Sequence, residues 1–140
     1  SRLLGLGARE LFSTRELPDE VLDVIVTRAG VLDSSSALVD LLLRGWFRGL
    51  DVLTAEPEAS LHQAGQRLNL SDEQARTAFA LLELGTRAAN QRWLLSDPPQ
   101  LRDAEQRLGE RMLERHLLRR PRGSRSLVDA TPFRRLGEAR

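Results

Sequence analysis

The sequence predicts an all-α protein, a small helical bundle followed by a C-terminal helix and a basic tail. Three observations carry this. Ala and Leu are abundant while aromatic residues make up only 4%. Apolar positions recur at three and four residues, the period of a helix with one buried face. Serine, proline and glycine stand where helices start and stop. No stretch alternates in the manner of a strand.

Leu17, Val21, Val24 or Ile25 and Arg28 mark the face of a first helix, which Gly30 is expected to end. The Ser34-Ser35-Ser36 cluster offers an N-cap to a second, with Leu38, Leu41, Leu42 and Gly45 on its face. Beyond Gly45 and Gly49, Trp46, Phe47, Leu50 and Leu53 read as a short helix set at an angle to its predecessor. Pro57 suits the first turn of another short helix carrying Leu61 and Ala64, and Gly65 to Leu70 reads as a turn. Ser71-Asp72-Glu73-Gln74 is a capping box, which opens a helix with Ala75, Ala78, Leu82, Gly85 and Ala89 on its buried face.

Asp97-Pro98-Pro99 interrupts the helical pattern, because proline lacks an N–H and restricts the residue before it. The break divides the chain into residues 1–95 and 96–140. Leu101, Ala104, Leu108 and Met112, then Leu113 and Leu117, describe a helix ending near Arg120-Pro121. Residues 122–140, rich in Arg, Gly and Ser, have too little apolar surface to fold alone and are expected to be either disordered or docked on the body.

Composition restricts the chemistry. Cysteine is absent, which removes disulfides, thiolate nucleophiles and Cys-type zinc sites. His62 and His116 stand apart from each other and from any ligand pattern, so no metal is expected. There is no phosphate-binding glycine loop, nucleophile elbow or dinucleotide fingerprint. Asp19-Glu20 and Asp72-Glu73 are neighbours that point to different sides of a helix and read as N-terminal helix charges. The chain is therefore expected to be non-enzymatic, with no cofactor and no small-molecule substrate. No apolar run reaches the length of a membrane span and no secretory signal opens the chain, so a cytoplasmic protein without a membrane partner is expected. Ser1 in place of an initiating Met leaves open a longer parent protein.

All 21 basic residues are Arg, against 20 acidic ones, for a net charge of +1. Residues 1–100 hold 10 Arg and 14 acidic residues, whereas residues 101–140 hold 11 Arg and 6 acidic. A basic arm on a mildly acidic body suggests an anionic partner. Arg107, Arg111, Arg115 and Arg119 are spaced to form one stripe on the last helix, joined by Arg120, Arg122 and Arg125. A phosphate backbone would neutralise such a stripe. So would Asp103, Glu110 and Glu114 on the same helix, as on many solvated surfaces.

Three stretches resemble the helical N-terminal domain of the RadC-type bacterial DNA-repair family. They are Arg2-Leu3-Leu4-Gly5-Leu6-Gly7-Ala8 with the segment closing on Arg28-Ala29-Gly30, Leu41-Leu42-Leu43 leading into Phe47-Arg48-Gly49-Leu50, and Leu82-Glu83-Leu84-Gly85-Thr86-Arg87. The likeness spans roughly residues 2 to 93 and implies a helix-hairpin-helix segment. In that family a Gly-apolar-Gly turn presents backbone N–H groups to a phosphate. The matching positions here are Asn69-Leu70-Ser71, so the segment is degenerate; Asn69 is able to take the left-handed conformation of the first glycine. Asp72 and Glu73 follow, and Gln74 stands where the family commonly has lysine, which sets negative charge at the anion site. The family's JAB-type metallopeptidase-like domain requires two histidines one residue apart, a glutamate and an aspartate, and that arrangement is missing.

The resemblance and the charge asymmetry together imply a DNA-binding or DNA-repair-associated module without strong sequence preference. Its candidate contacts are Asn69, Ser71 and Arg76 on the hairpin, and Arg107, Arg111, Arg115, Arg119, Arg120, Arg122 and Arg125 on the arm. The alternative is a protein-interaction or dimerisation module with a purely structural hairpin, whose partner is another protein or a second copy.

Overall fold

The computed structural model describes residues 2–17, 21–121, 123 and 126–138. It is all-helical, with no strand among the described residues. After the single turn α1 (Arg2–Gly5) and a 3-10 turn at Thr14–Glu16 come α2 (Ala29–Ser34), α3 (Ser36–Ala55), α4 (Pro57–Leu68), α5 (Asp72–Phe79), α6 (Arg87–Leu95), α7 (Gln100–Glu114) and α8 (Thr131–Glu138). No helix among the described residues is long and apolar enough to cross a membrane.

The first expected helix does not form. Residues 22–28 carry no regular structure, and α2 begins at Ala29, so Gly30 lies inside a helix it was expected to end. The cause is the β-branched series Val21, Val24, Ile25, Val26 and Thr27, which loses side-chain freedom in a helix. Tertiary burial does not compensate, because Val21 and Val26 are 70% and 82% exposed.

By contrast α3 runs unbroken through Gly45 and Gly49, where an angled second helix was expected. Each glycine costs about 1 kcal/mol in a helix interior. That cost is offset by the inner face of α3, where Leu43 and Leu50 are half-buried and Phe47 is buried. Ser35 occupies the N-cap of α3 without making a side-chain cap bond. Its neighbour Ser34 instead donates from Oγ to the Gly30 carbonyl at 2.6 Å.

The helix expected from Ser71 past Ala89 is two helices. α5 stops at Phe79, and α6 starts afresh at Arg87 with Thr86 as its cap, the hydroxyl accepting from Ala89 N–H at 3.2 Å. Leu82 and Gly85 thus lie in the connection. It is held by the Gly85 carbonyl, which accepts from Trp46 Nε1 at 3.1 Å and Asn90 Nδ2 at 2.9 Å.

α3 is the central element, touching α2, α4 and α8, while α4 packs on α5 and α6 on α7. Part of the basic tail is docked: Ser126 Oγ and Leu127 N–H donate to the Glu105 carboxylate of α7 at 2.8 and 2.7 Å, and α8 lies on α3. There Phe133 stands 6.0 Å from Phe47 in a tilted ring pair, while the Arg87 guanidinium lies 4.3 Å from the Phe47 ring centre. Among the described residues the buried apolar side chains are few: Phe47, Ala75, Ala89, Ala130 and Pro132. Accordingly the accessible surface is 11797 Å². A compact monomer of 15.7 kDa would expose about 7,300 Å².

Candidate nucleic-acid interface

The hairpin is α4, the turn Asn69-Leu70-Ser71, and α5. Asn69 has φ 56 and ψ 41, the left-handed geometry that asparagine tolerates better than most residues. Leu70 N–H reaches back to the Gly65 carbonyl at 2.8 Å and Asn69 N–H to that of Gln66 at 3.4 Å, the paired bonds of a Schellman ending. Gly65 belongs to the last turns of α4 rather than to the connection, and it lets α5 come close. A Cβ placed there would stand 3.1 Å from the Leu70 carbonyl oxygen and 3.3 Å from Ala75 Cβ.

On the far side of the turn the capping box is complete. Gln74 N–H donates to Ser71 Oγ at 3.2 Å, and Ser71 N–H donates to Gln74 Oε1 at 2.9 Å. Ser71 is therefore occupied in holding the start of α5. Asp72 is occupied too: its Oδ1 lies 2.8 Å from His62 Nδ1, and His62 Nε2 lies 3.0 Å from Gln66 Nε2. A ring protonated on Nδ1 donates to Asp72 and accepts from Gln66, so the neutral imidazole satisfies both contacts.

Arg76 grips Glu58 of α4, with Nη2 2.7 Å from Oε2 and Nε 3.1 Å from the same oxygen. The hydrogen bond and the attraction of Arg76 hold the Glu58 carboxyl below its usual range, and the pairing raises Arg76. The candidate cation of the hairpin is thus engaged within it. Asp72 and Glu73 stand in the first turn of α5, where their negative charge opposes an anion.

The arginine stripe is shorter than its spacing implies, because α7 ends at Glu114 and not near Arg120. His116 adopts φ 57, with Leu117 N–H bonded to the Met112 carbonyl at 2.8 Å and His116 N–H to that of Leu113 at 3.0 Å. This second Schellman ending turns the chain away from the helix axis. Arg107 and Arg111 lie on α7, Arg115 caps it, and Arg119 and Arg120 follow in the bend beyond; all five are exposed. Arg122 and Arg125 lie outside the described residues. Residues 111–120 hold Arg111, Arg115, Arg119 and Arg120 against the single acid Glu114. Among the described residues no group of His, Asp and Glu is placed to hold a metal ion.

Sequence reasoning did not find the internal partners Glu58 and His62, nor the second apolar face of α3. The face was legible in principle, since apolar residues surround that helix on both sides. Comparison with family models, curated proteins and solved structures finds no match.

Proposed function

We propose that this protein is a non-enzymatic helical module that binds the phosphate backbone of DNA, with a role associated with DNA repair. The observation that carries the reading is the exposed group Arg111, Arg115, Arg119 and Arg120 around the end of α7, opposed in that stretch only by Glu114. The likeness of residues 2 to 93 to the RadC-type helical domain supports it, as does the left-handed Asn69 in the hairpin turn. Binding through arginine and phosphate reads charge rather than bases, which accounts for the lack of sequence preference. In this arrangement the hairpin stiffens the body while the arm supplies affinity.

The test is fluorescence anisotropy with a labelled duplex across a salt series. Four arginine–phosphate contacts give a log–log salt slope of roughly −3.6. Replacing the four arginines by Gln should abolish most of the affinity and flatten the slope. Absence of binding by the intact protein at low salt would overturn the reading.

A further inference from the structure

Beyond Arg120 the chain returns to the middle of α7 and then crosses to α3. At the return, Ser126 Oγ donates to Glu105 Oε2 at 2.8 Å and Leu127 N–H donates to Glu105 Oε1 at 2.7 Å. One carboxylate thus holds two consecutive residues, each through a different oxygen. The Ser126 hydroxyl also accepts from Val128 N–H at 3.1 Å, a local turn that directs the chain as it leaves. From there the side chains alternate, as on an extended chain with one face covered. Ser126 and Val128 are half-buried and Ala130 and Pro132 buried, while Leu127, Asp129 and Thr131 are exposed. α8 follows and lies on α3, where Phe133 meets Phe47 and Arg135 grips both oxygens of Asp40. Leu127 and Phe133 are six positions apart, a span of at most about 20 Å.

The pair of helices α6 and α7, which pack on each other, is joined to α3 at a second place. At the start of α6 the Arg87 guanidinium lies over the Phe47 ring, and the nearby Gly85 carbonyl accepts from Trp46. A two-helix arm held only at its base can pivot there. A further attachment at Glu105, on the other helix of the pair, removes that freedom. Phe47 serves both attachments, since Arg87 and Phe133 contact the same ring.

We infer that residues 126–138 are a strap that locks the α6–α7 arm to the central helix, with Glu105 and Asp40 as its two latches. The strap acts as one unit, because a short link transmits restraint only while both of its ends are held. Releasing either latch therefore frees the arm as fully as releasing both. At the Asp40 end the latch is a two-point, charge-assisted arginine–carboxylate pair; at the Glu105 end the donors are a hydroxyl and a backbone N–H. The consequence is that Arg111 and Arg115, carried by α7 and its cap, keep one orientation relative to the body. Neither latch is among the proposed DNA contacts, so the strap and the DNA reading are tested separately.

The chain has no cysteine, so two spin labels can be placed without removing native thiols. Gly49→Cys in α3, where an added Cβ meets nothing within 4 Å, and Leu108→Cys in α7, at a residue 59% exposed, report the distance between the helices. Double electron–electron resonance on the full chain should give one narrow distance distribution. Glu105→Ala and Asp40→Ala should each widen it roughly two-fold or more, and the two together should widen it no further, as for groups acting through one element. Ser126→Ala removes one latch bond and alters neither helix, and should give an intermediate width. Circular dichroism checks that the helices persist; if Glu105→Ala or Asp40→Ala loses them, the width for Ser126→Ala decides. A distribution that stays narrow in these variants would overturn the inference, as would a broad one with both latches intact. Additive widening in the double variant would also overturn it, since the latches would then be independent anchors.

Discussion

Arg135 in α8 holds Asp40 in α3 across 95 positions of sequence, with Nη2 2.7 Å from Oδ1 and Nε 3.2 Å from Oδ2. The pair is partly shielded and joins a tail segment to the central helix. Asp40→Asn should loosen α8 and make residues 126–138 more accessible to protease, while α4 and α5 keep their protection. Limited proteolysis with mass spectrometry checks this.

The same pair sets an acid dependence. The hydrogen bond from Arg135, and the attraction of Arg135 and Arg44, hold the Asp40 carboxyl below its ordinary 3.8. A carboxyl lowered by folding adds stability that is fully present above its unfolded value and is lost as pH falls through the folded one. Glu58, lowered by Arg76 from its ordinary 4.5, has the same sign. Melting temperature should therefore be flat from neutral pH down to the ordinary carboxyl range and fall below it. Asp40→Asn should remove part of that fall, as read by thermal denaturation at stepped pH.

Phe47 is 2% exposed and contacts Phe133 and Arg87 from two other helices. Phe47→Ala should cost about 3 to 5 kcal/mol, a large fraction of what a domain of this size possesses. Urea denaturation followed by circular dichroism measures it. Leu41→Ala, on the exposed face, should change the unfolding midpoint of dilute protein little.

His116 occupies the left-handed region at the end of α7. A residue with a Cβ is strained there by roughly 1 to 2 kcal/mol, and glycine is not. His116→Gly should stabilise the protein by about 1 kcal/mol, once the glycine's greater freedom in the unfolded chain is deducted. A lower denaturation midpoint would show that the imidazole has a contact worth more than the strain.

Asp72 and Glu73 oppose an anion at the start of α5. If the hairpin faces DNA, Asp72→Asn with Glu73→Gln should tighten binding several-fold and steepen its salt dependence. Unchanged affinity would assign all of the binding to the arm.

Local signals were readable from sequence wherever the deciding interaction was itself local. Pro57, Asn69 and the Ser71–Gln74 capping box each act within four residues, and each takes its anticipated conformation. The expectations that differed from the structure were decided at longer range or by competing propensities. Val21 to Thr27 has a helical spacing of apolar residues, yet its β-branched side chains lack a surface to bury against. Gly45 and Gly49 were expected to break a helix that inward packing by Phe47 keeps whole. α8 escaped notice because its stability comes from Phe47 and Asp40, some ninety positions away, although Asp129 accepting from Thr131 N–H at 2.8 Å is a local start signal. The arginine spacing was read on a helix assumed to continue, and no glycine marked the ending at His116. Asn69, Ser71 and Arg76 stand together on the hairpin, but the commitment of Arg76 to Glu58 required a contact across 18 positions.

Gly85 lies where the chain leaves α5 for α6, and both tryptophans converge on it. Trp46 donates its indole N–H to the Gly85 carbonyl, while Trp93 Cζ3 lies 3.7 Å from where a Gly85 side chain would begin. Indole emission shifts to longer wavelength as the ring gains water, so the protein carries an optical gauge of this junction without any label. Loosening there would register as a red shift led by Trp93, the more shielded of the two rings.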